Sequence, residues 1–177
     1  VALEAIALLK KRNEKYKDIF YCYLCSESKH AKNTHDTYYR SIKNKIKELD
    51  LESNATIQRG FFSDTELYQF LRTGRLSIFP YMTDPNNVVY GASGAIRIAM
   101  ANSSPVIASS SHMFDDLDGV LARPANAEEL ANEIHKTFND GKYKLALLER
   151  QKKYIKDNTW AITADRYWEV FQKIIEN

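Results

Sequence analysis

The chain carries little net charge: 25 lysines and arginines against 23 aspartates and glutamates leave +2 over 177 residues. So slight a balance does not by itself mark a nucleic-acid or membrane-surface protein. No apolar run approaches the ~20 residues that a membrane-spanning helix needs. The sequence has no signal-peptide pattern, no internal repeat and no low-complexity segment. It also lacks both G-x-G-x-x-G and Walker motifs, which removes two common phosphate-binding signatures. Cysteine is scarce, with only Cys22 and Cys25. Their C-x-x-C spacing falls in IFYCYLC, an apolar run that reads as a strand, and strand residues three apart point to opposite faces. This argues against a mutual disulfide or a shared metal and predicts two structural thiols in a reducing compartment. The chain opens on Val1 rather than Met and reads as a piece of a longer protein.

What is present is an alternation of short apolar strands with amphipathic helices. Strands are predicted at 19–25, 55–59, 76–79, 106–108 and 119–123. Helices are predicted at 1–16, 34–51, 64–73, 91–102, 127–139, 143–157 and 160–175. Leu3, Ile6 and Leu9 give the first helix its apolar face, and Tyr38, Ile42, Ile46 and Leu49 give the second its stripe. Ser63 and Glu66 have the spacing of a capping box. The aromatic stripe of the last helix, including Trp160, Tyr167, Trp168 and Phe171, reads as core. Strands that are apolar without much alternation are covered on both faces. The predicted fold is therefore α/β, a Rossmann-like parallel sheet with helices on both faces. The whole of 1–177 forms a single domain, with 143–177 as a C-terminal helical extension.

Ligands of such sheets sit at the carboxyl ends of the strands. Gly60-Phe61, Pro80-Tyr81, Gly91-Ala92-Ser93-Gly94 and Ser109 to His112 all fall at those ends. The glycine-rich stretch before a helix is the most informative of them. First-turn amides have no partners inside a helix and lie at the positive end of its dipole, which suits an anion such as a diphosphate. Gly91 and Gly94 permit close backbone approach, Ser93 adds a hydroxyl, and Ala95 is small enough for the helix to sit close to a sheet. Asp115, Asp116 and Asp118 read as solvated turn residues, and His112 as a surface or packed side chain rather than a catalyst.

Several segments in order resemble one known family. Arg59-Gly60-Phe61 with Ser63-Asp64-x-Glu66-Leu67, Ser77-Ile78-Phe79-Pro80, and Ala99-Met100-Ala101 followed by Pro105-Val106-Ile107-Ala108-Ser109 carry the likeness. So do Asp118-Gly119-Val120-Leu121 with Pro124, Glu128-Glu129-Leu130-Ala131, and Thr159-Trp160. Together they are similar to the C-terminal, nucleotide-sugar-binding half of GT-B glycosyltransferases of group 1 (family 4), and the likeness covers nearly all of the chain. The family commonly has two glutamates eight positions apart; Tyr90 and Ile98 stand at the matching places. Pro80-Tyr81, Asp84-Pro85 and Ser93-Gly94-Ala95 resemble a variant loop of the family that lacks the pair.

The resemblance implies a retaining glycosyltransferase. It would move a sugar from a nucleotide-diphosphate sugar to an acceptor glycan or lipid-linked acceptor. The N-terminal acceptor domain lies outside this chain, so the chain alone is expected to be inactive. Gly91, Ala92, Ser93, Gly94 and Ala95 would face the diphosphate, Gly60 and Phe61 the nucleobase, and Asp84 sugar or ribose hydroxyls. Tyr81 would stand at the rim and Tyr90 over the diphosphate loop. No catalytic residue is assigned. No cofactor or metal is implied, nor any nucleic acid. The location implied is cytoplasmic, and the resemblance allows peripheral association with the cytoplasmic membrane face. The rival expectation is a degenerate, non-catalytic nucleotide-sugar-binding or interaction module.

Overall fold

Leu3, Ile6 and Leu9, with Ala2 and Ala5, close one face of helix α1 (Ala2–Arg12) into the core. The helix stops where Asn13 turns extended and accepts the Lys15 N–H at 3.0 Å, opening one 3-10 turn before strand β1 (Tyr21–Cys25). The computed structural model describes residues 1–25, 32–81, 91–102 and 104–176. β1 pairs in parallel with β2 (Ala55–Arg59), Tyr21 opposite Ala55 and Cys25 opposite Arg59. Helix α2 (Lys32–Glu48) makes the crossover and buries Ile42 and Ile46. Of its predicted stripe, Tyr38 is exposed instead.

Helix α3 (Asp64–Thr73) opens on the capping box expected of Ser63 and Glu66. It leads to β3 (Ser77–Phe79), which pairs in parallel with β4 (Val106–Ala108) across helix α4 (Gly94–Ala101). Helices α5 (Ala127–Asn139), α6 (Gly141–Asp157) and α7 (Trp160–Ile175) complete the described chain. α5 begins at Asn126, whose side chain accepts the Glu129 N–H at 2.9 Å.

β4 divides the interior. Ile107 joins a cluster with Leu3, Ile6, Leu9, Ile42, Ile46, Leu130 and Ile134. Val106 and Ala108, facing the other way, join Ile96, Met100, Phe114 and Leu117. A three-residue strand buried on both sides is what a parallel sheet with helices on each face requires. The α/β class follows from this alternation.

Beyond Tyr38, the structure departs from the sequence reading at several places. Among the described residues, the parallel pairing is divided between two two-stranded sheets, β1-β2 and β3-β4, rather than one continuous sheet. Residues 119–123 contribute only a single bridge, Ala122 to Ile107. Here the backbone is committed to a turn: the Val120 and Leu121 amides both donate to the Leu117 carbonyl, and Gly119 takes φ 74°. Helix α4 starts at Gly94, so 91–93 are its approach. Helix α6 starts at Gly141, because the Asp140 side chain accepts the Tyr143 N–H at 2.9 Å. Helix α7, read as core, buries no residue at all.

Candidate functional site

The carboxyl ends of β3 and β4 are held together by main-chain and side-chain bonds. The Ser109 amide donates to the Phe79 carbonyl at 3.0 Å, and the Ser109 hydroxyl to the Tyr81 carbonyl at 2.7 Å. After β4 the chain enters a 3-10 segment, His112–Leu117, that buries Phe114 and Leu117. The Phe114 ring lies 5.0 Å from that of Tyr81, centroid to centroid. Beside it, a Cβ placed on Gly91 would meet the Met113 sulfur at 3.2 Å, so glycine lets the approach to α4 lie against this segment. Tyr81 and Gly91 are therefore brought to one ledge through Met113 and Phe114.

α4 starts from that ledge. Its N-cap, Ser93, makes no side-chain capping bond. Gly91, Ala92, Gly94 and Ala95 are exposed, whereas Ser93 is buried. A Cβ on Gly94 would meet nothing within 4 Å. The first turn thus presents uncapped amides on an open surface, with the positive end of the helix dipole behind them.

Cations near the ledge are engaged elsewhere. Arg97 donates to the Ser93 carbonyl at 2.9 Å and to the Tyr154 hydroxyl at 3.1 Å, and it pairs with Asp116. Arg123, largely buried, donates to the Ser111 carbonyl at 2.7 Å and pairs with Asp115 and Asp118. His112 Nδ1 lies 2.7 Å from Asp115. Hydrogen bonds from His112 and Arg123 hold the Asp115 carboxyl below its ordinary range. The three aspartates read as solvated turn residues are thus ion-paired and fix the segment after β4. Nothing in the spacing along the chain signalled the pairing of Asp116, because Arg97 and Tyr154 reach it from distant helices, whereas His112 and Arg123 lie within eight residues of Asp115. Among the described residues, no group of three or more His, Cys, Asp or Glu could hold a metal ion.

The remaining predicted residues are dispersed. Gly60 takes φ 142°, a conformation that disfavours other residues, and its amide donates to the Cys25 carbonyl at 3.1 Å. Phe61 beside it is 91% exposed. Asp84 and Tyr90 lie outside the described residues. Ile98, at one position where the family commonly has a glutamate, is half-buried on α4, and its carbonyl accepts from the Asn102 side chain at 2.9 Å. Neither cysteine is in a disulfide; burial raises the Cys22 thiol pKa, with a further push from Cys25. A cavity of about 250 Å³ lies away from the ledge, lined by Val1, Leu3 and Glu4 of the α1 end, Tyr23, and Ser41, Ile42 and Lys45 of α2.

With this geometry in place, comparison with known proteins is decisive at the level of family. The model of the family described as "Glycosyl transferases group 1" matches residues 1–140. The chain belongs to the group 1 glycosyl transferases. Several solved structures share its fold. α,α-Trehalose 6-phosphate synthase from Burkholderia multivorans superposes with a TM-score of 0.80 at 10% identity, over 98% of this chain and 39% of that one. A glycosyltransferase from Rickettsia africae gives 0.70 at 18% identity, over 99% and 44%. Anabaena HepE, solved in complex with UDP, gives 0.67 at 15% identity, also over 99% and 44%. This group 1 domain therefore spans less than half the length of each of these proteins. A search of curated proteins finds no match to the sequence. Among the described residues, no helix is long and apolar enough to cross a membrane.

Proposed function

We propose that the chain is the donor-binding domain of a glycosyltransferase. The full enzyme would transfer a sugar from a nucleotide-diphosphate sugar to an acceptor glycan or lipid-linked acceptor, with retention of configuration. The observation that carries this reading is the uncapped, exposed start of α4, in a chain of this family, at the carboxyl ends of two parallel strands. Amides at Ala92 to Ala95 would bind the diphosphate and stabilise charge as it leaves, an electrostatic contribution that requires no bound metal. The engaged state of Arg97 and Arg123 favours amides over side-chain cations in that role. Tyr81 would border the sugar side of the ledge, with Gly60 and exposed Phe61 offered to the base. HepE, a structural neighbour at 15% identity, was solved with UDP, which makes a uridine nucleotide the first probe.

The test is calorimetric titration of the chain with UDP and GDP. Weak binding of one, near about 1 mM, is expected from a domain that holds only one side of the ligand. Gly94→Asp should weaken it at least ~10-fold, about 1.4 kcal/mol. The new carboxylate would stand in open space and face the diphosphate. The melting temperature should hold or rise, since a carboxylate at a helix start is favourable. If neither nucleotide binds, or if Gly94→Asp binds as well as the parent, the reading fails. The presence of Ile98 where the family commonly has a glutamate favours a second reading, a binding module without transfer. That reading predicts nucleotide binding to the full protein with no sugar transferred.

A further inference from the structure

Helix α6 backs α4, and the contact between them runs partly through charged groups. Tyr154 and Ile155 of α6 pack on the cluster that buries Ile96, Ala99 and Met100 of α4. Gln151, fully buried one turn earlier, donates from its side-chain amide to the Val106 carbonyl at 3.0 Å and so ties α6 to β4. α6 (Gly141–Asp157) follows residues 1–140, the span of the family match, so its part at the ledge is read from geometry alone.

Arg97 is the joint between the two helices. It stands one turn into α4, where the helix dipole disfavours a cation. Three partners hold it there. Nη1 donates to the Ser93 carbonyl at 2.9 Å, Nη2 donates to the Tyr154 hydroxyl at 3.1 Å, and Nη2 also pairs with Asp116 from the segment after β4. The Tyr154 hydroxyl in turn donates to the same Asp116 oxygen at 2.9 Å. It accepts from the guanidinium and donates to the carboxylate, which closes a ring of three groups from α4, α6 and His112–Leu117. The other end of the guanidinium is thereby aimed at Ser93, the N-cap, whose own hydroxyl makes no capping bond. Ser93 is buried and its carbonyl is fixed, which sets the direction of the amides that follow it. Asp116 balances the charge of Arg97, so the field at the mouth of α4 is left to those amides.

We propose that Tyr154 and Arg97 are positioning residues for the nucleotide diphosphate. The Tyr154 hydroxyl orients Arg97, Arg97 holds the Ser93 carbonyl, and the Gly94 and Ala95 amides are thereby set in advance against the phosphates. Neither side chain touches the ligand. Resting on the donor-binding reading above, this adds a residue of α6 to the site. The arrangement depends on shape as well as charge. A guanidinium serves a carbonyl at one nitrogen and a hydroxyl–carboxylate pair at the other from one rigid fork, which a lysine ammonium does not reproduce.

Amide-resolved NMR titration of the 177-residue chain tests it, with whichever of UDP and GDP the parent binds. Tyr154→Phe removes one oxygen and keeps the ring. It should weaken the nucleotide about 5-fold, the worth of one ordinary hydrogen bond. It should also shrink the ligand-induced shifts of the Gly94 and Ala95 amides, while those of Gly60 and Phe61 keep their parent size. Arg97→Lys keeps the charge without the fork and should weaken binding at least as much. If the parent binds neither nucleotide, the donor-binding reading fails and the positioning role fails with it. If the parent binds, two results overturn the positioning role alone. One is either variant binding as tightly as the parent, or more tightly, as it would if Arg97 were a phosphate-binding cation held back by Asp116. The other is a loss of shifts spread equally over Gly60, Phe61, Gly94 and Ala95, which a general loosening of the fold would give.

Discussion

Arg123 shows how one side chain fixes a functional loop. Its guanidinium reaches two carbonyls, Ser109 at 3.4 Å and Ser111 at 2.7 Å, besides Asp115 and Asp118. Met113 and Phe114, which seat Gly91 and Tyr81, belong to the segment it holds. Arg123→Met should lower stability by about 2 kcal/mol in urea unfolding, from carbonyls left without their donor. The same variant should flatten the acid limb of the stability curve. The Asp115 carboxyl is held below its ordinary value. Its contribution is therefore present above the ordinary carboxylate pKa and lost as pH falls through the lowered one. Tyr143 works in the opposite sense. Burial, and then its hydrogen bond to Glu133, push its pKa from 10.0 up to about 12. The stabilisation is complete below pH 10 and lost as pH rises toward about 12. Burial also raises the pKa values of Tyr21, Tyr23, Tyr38 and Tyr154, so the check is a difference: an ultraviolet absorbance titration of Tyr143→Phe should show one fewer phenol among those ionising late than the parent does. Ser104 is a smaller example: its hydroxyl lies within hydrogen-bond distance of both the Leu71 and Gly74 carbonyls and so ties the start of β4 to the end of α3. A serine before Pro105 gives no hint of this in sequence, because its partners lie some thirty residues away.

At the scale of elements, local chemistry was legible wherever neighbours in sequence decide the outcome. The Ser63–Glu66 box and the Asn126 cap were readable because each bond spans three residues. Residues 119–123 failed as a strand because their apolar composition permits one, while the turn on the Leu117 carbonyl takes the amides a ladder needs. Helix α7 is the other lesson. Its aromatic stripe has the periodicity of a core helix, yet Trp160 is 91% exposed and Tyr167, Trp168 and Phe171 are each more than half exposed. Periodicity reports that a helix has an apolar face, not that anything covers it. Replacing Trp160, Trp168 and Phe171 by alanine should therefore leave the thermal stability of this chain within about 0.5 kcal/mol of the parent, measured by calorimetry. A core stripe would lose several times that.

Across the whole molecule, the sequence by itself determined the alternation of strands and helices. It also determined the parallel class and the places where strand ends offer ligand-binding loops. These depend on periodicities of two and 3.6 residues and on caps, all local quantities. It also carried the family likeness, spread over motifs whose order matters more than any one of them. Tertiary structure alone decided which of those loops share a ledge. Tyr81 and Gly91 meet through Met113 and Phe114, while Phe61 stands bare at another strand end. It also decided that Arg97 and Arg123 are bound to carboxylates, and that, among the described residues, the sheet is divided between β1 and β3. The physical reason is the same in each case. Ion pairing and strand pairing join residues far apart in the chain, and a linear pattern records which groups are available but not which of them come within 3 Å of one another.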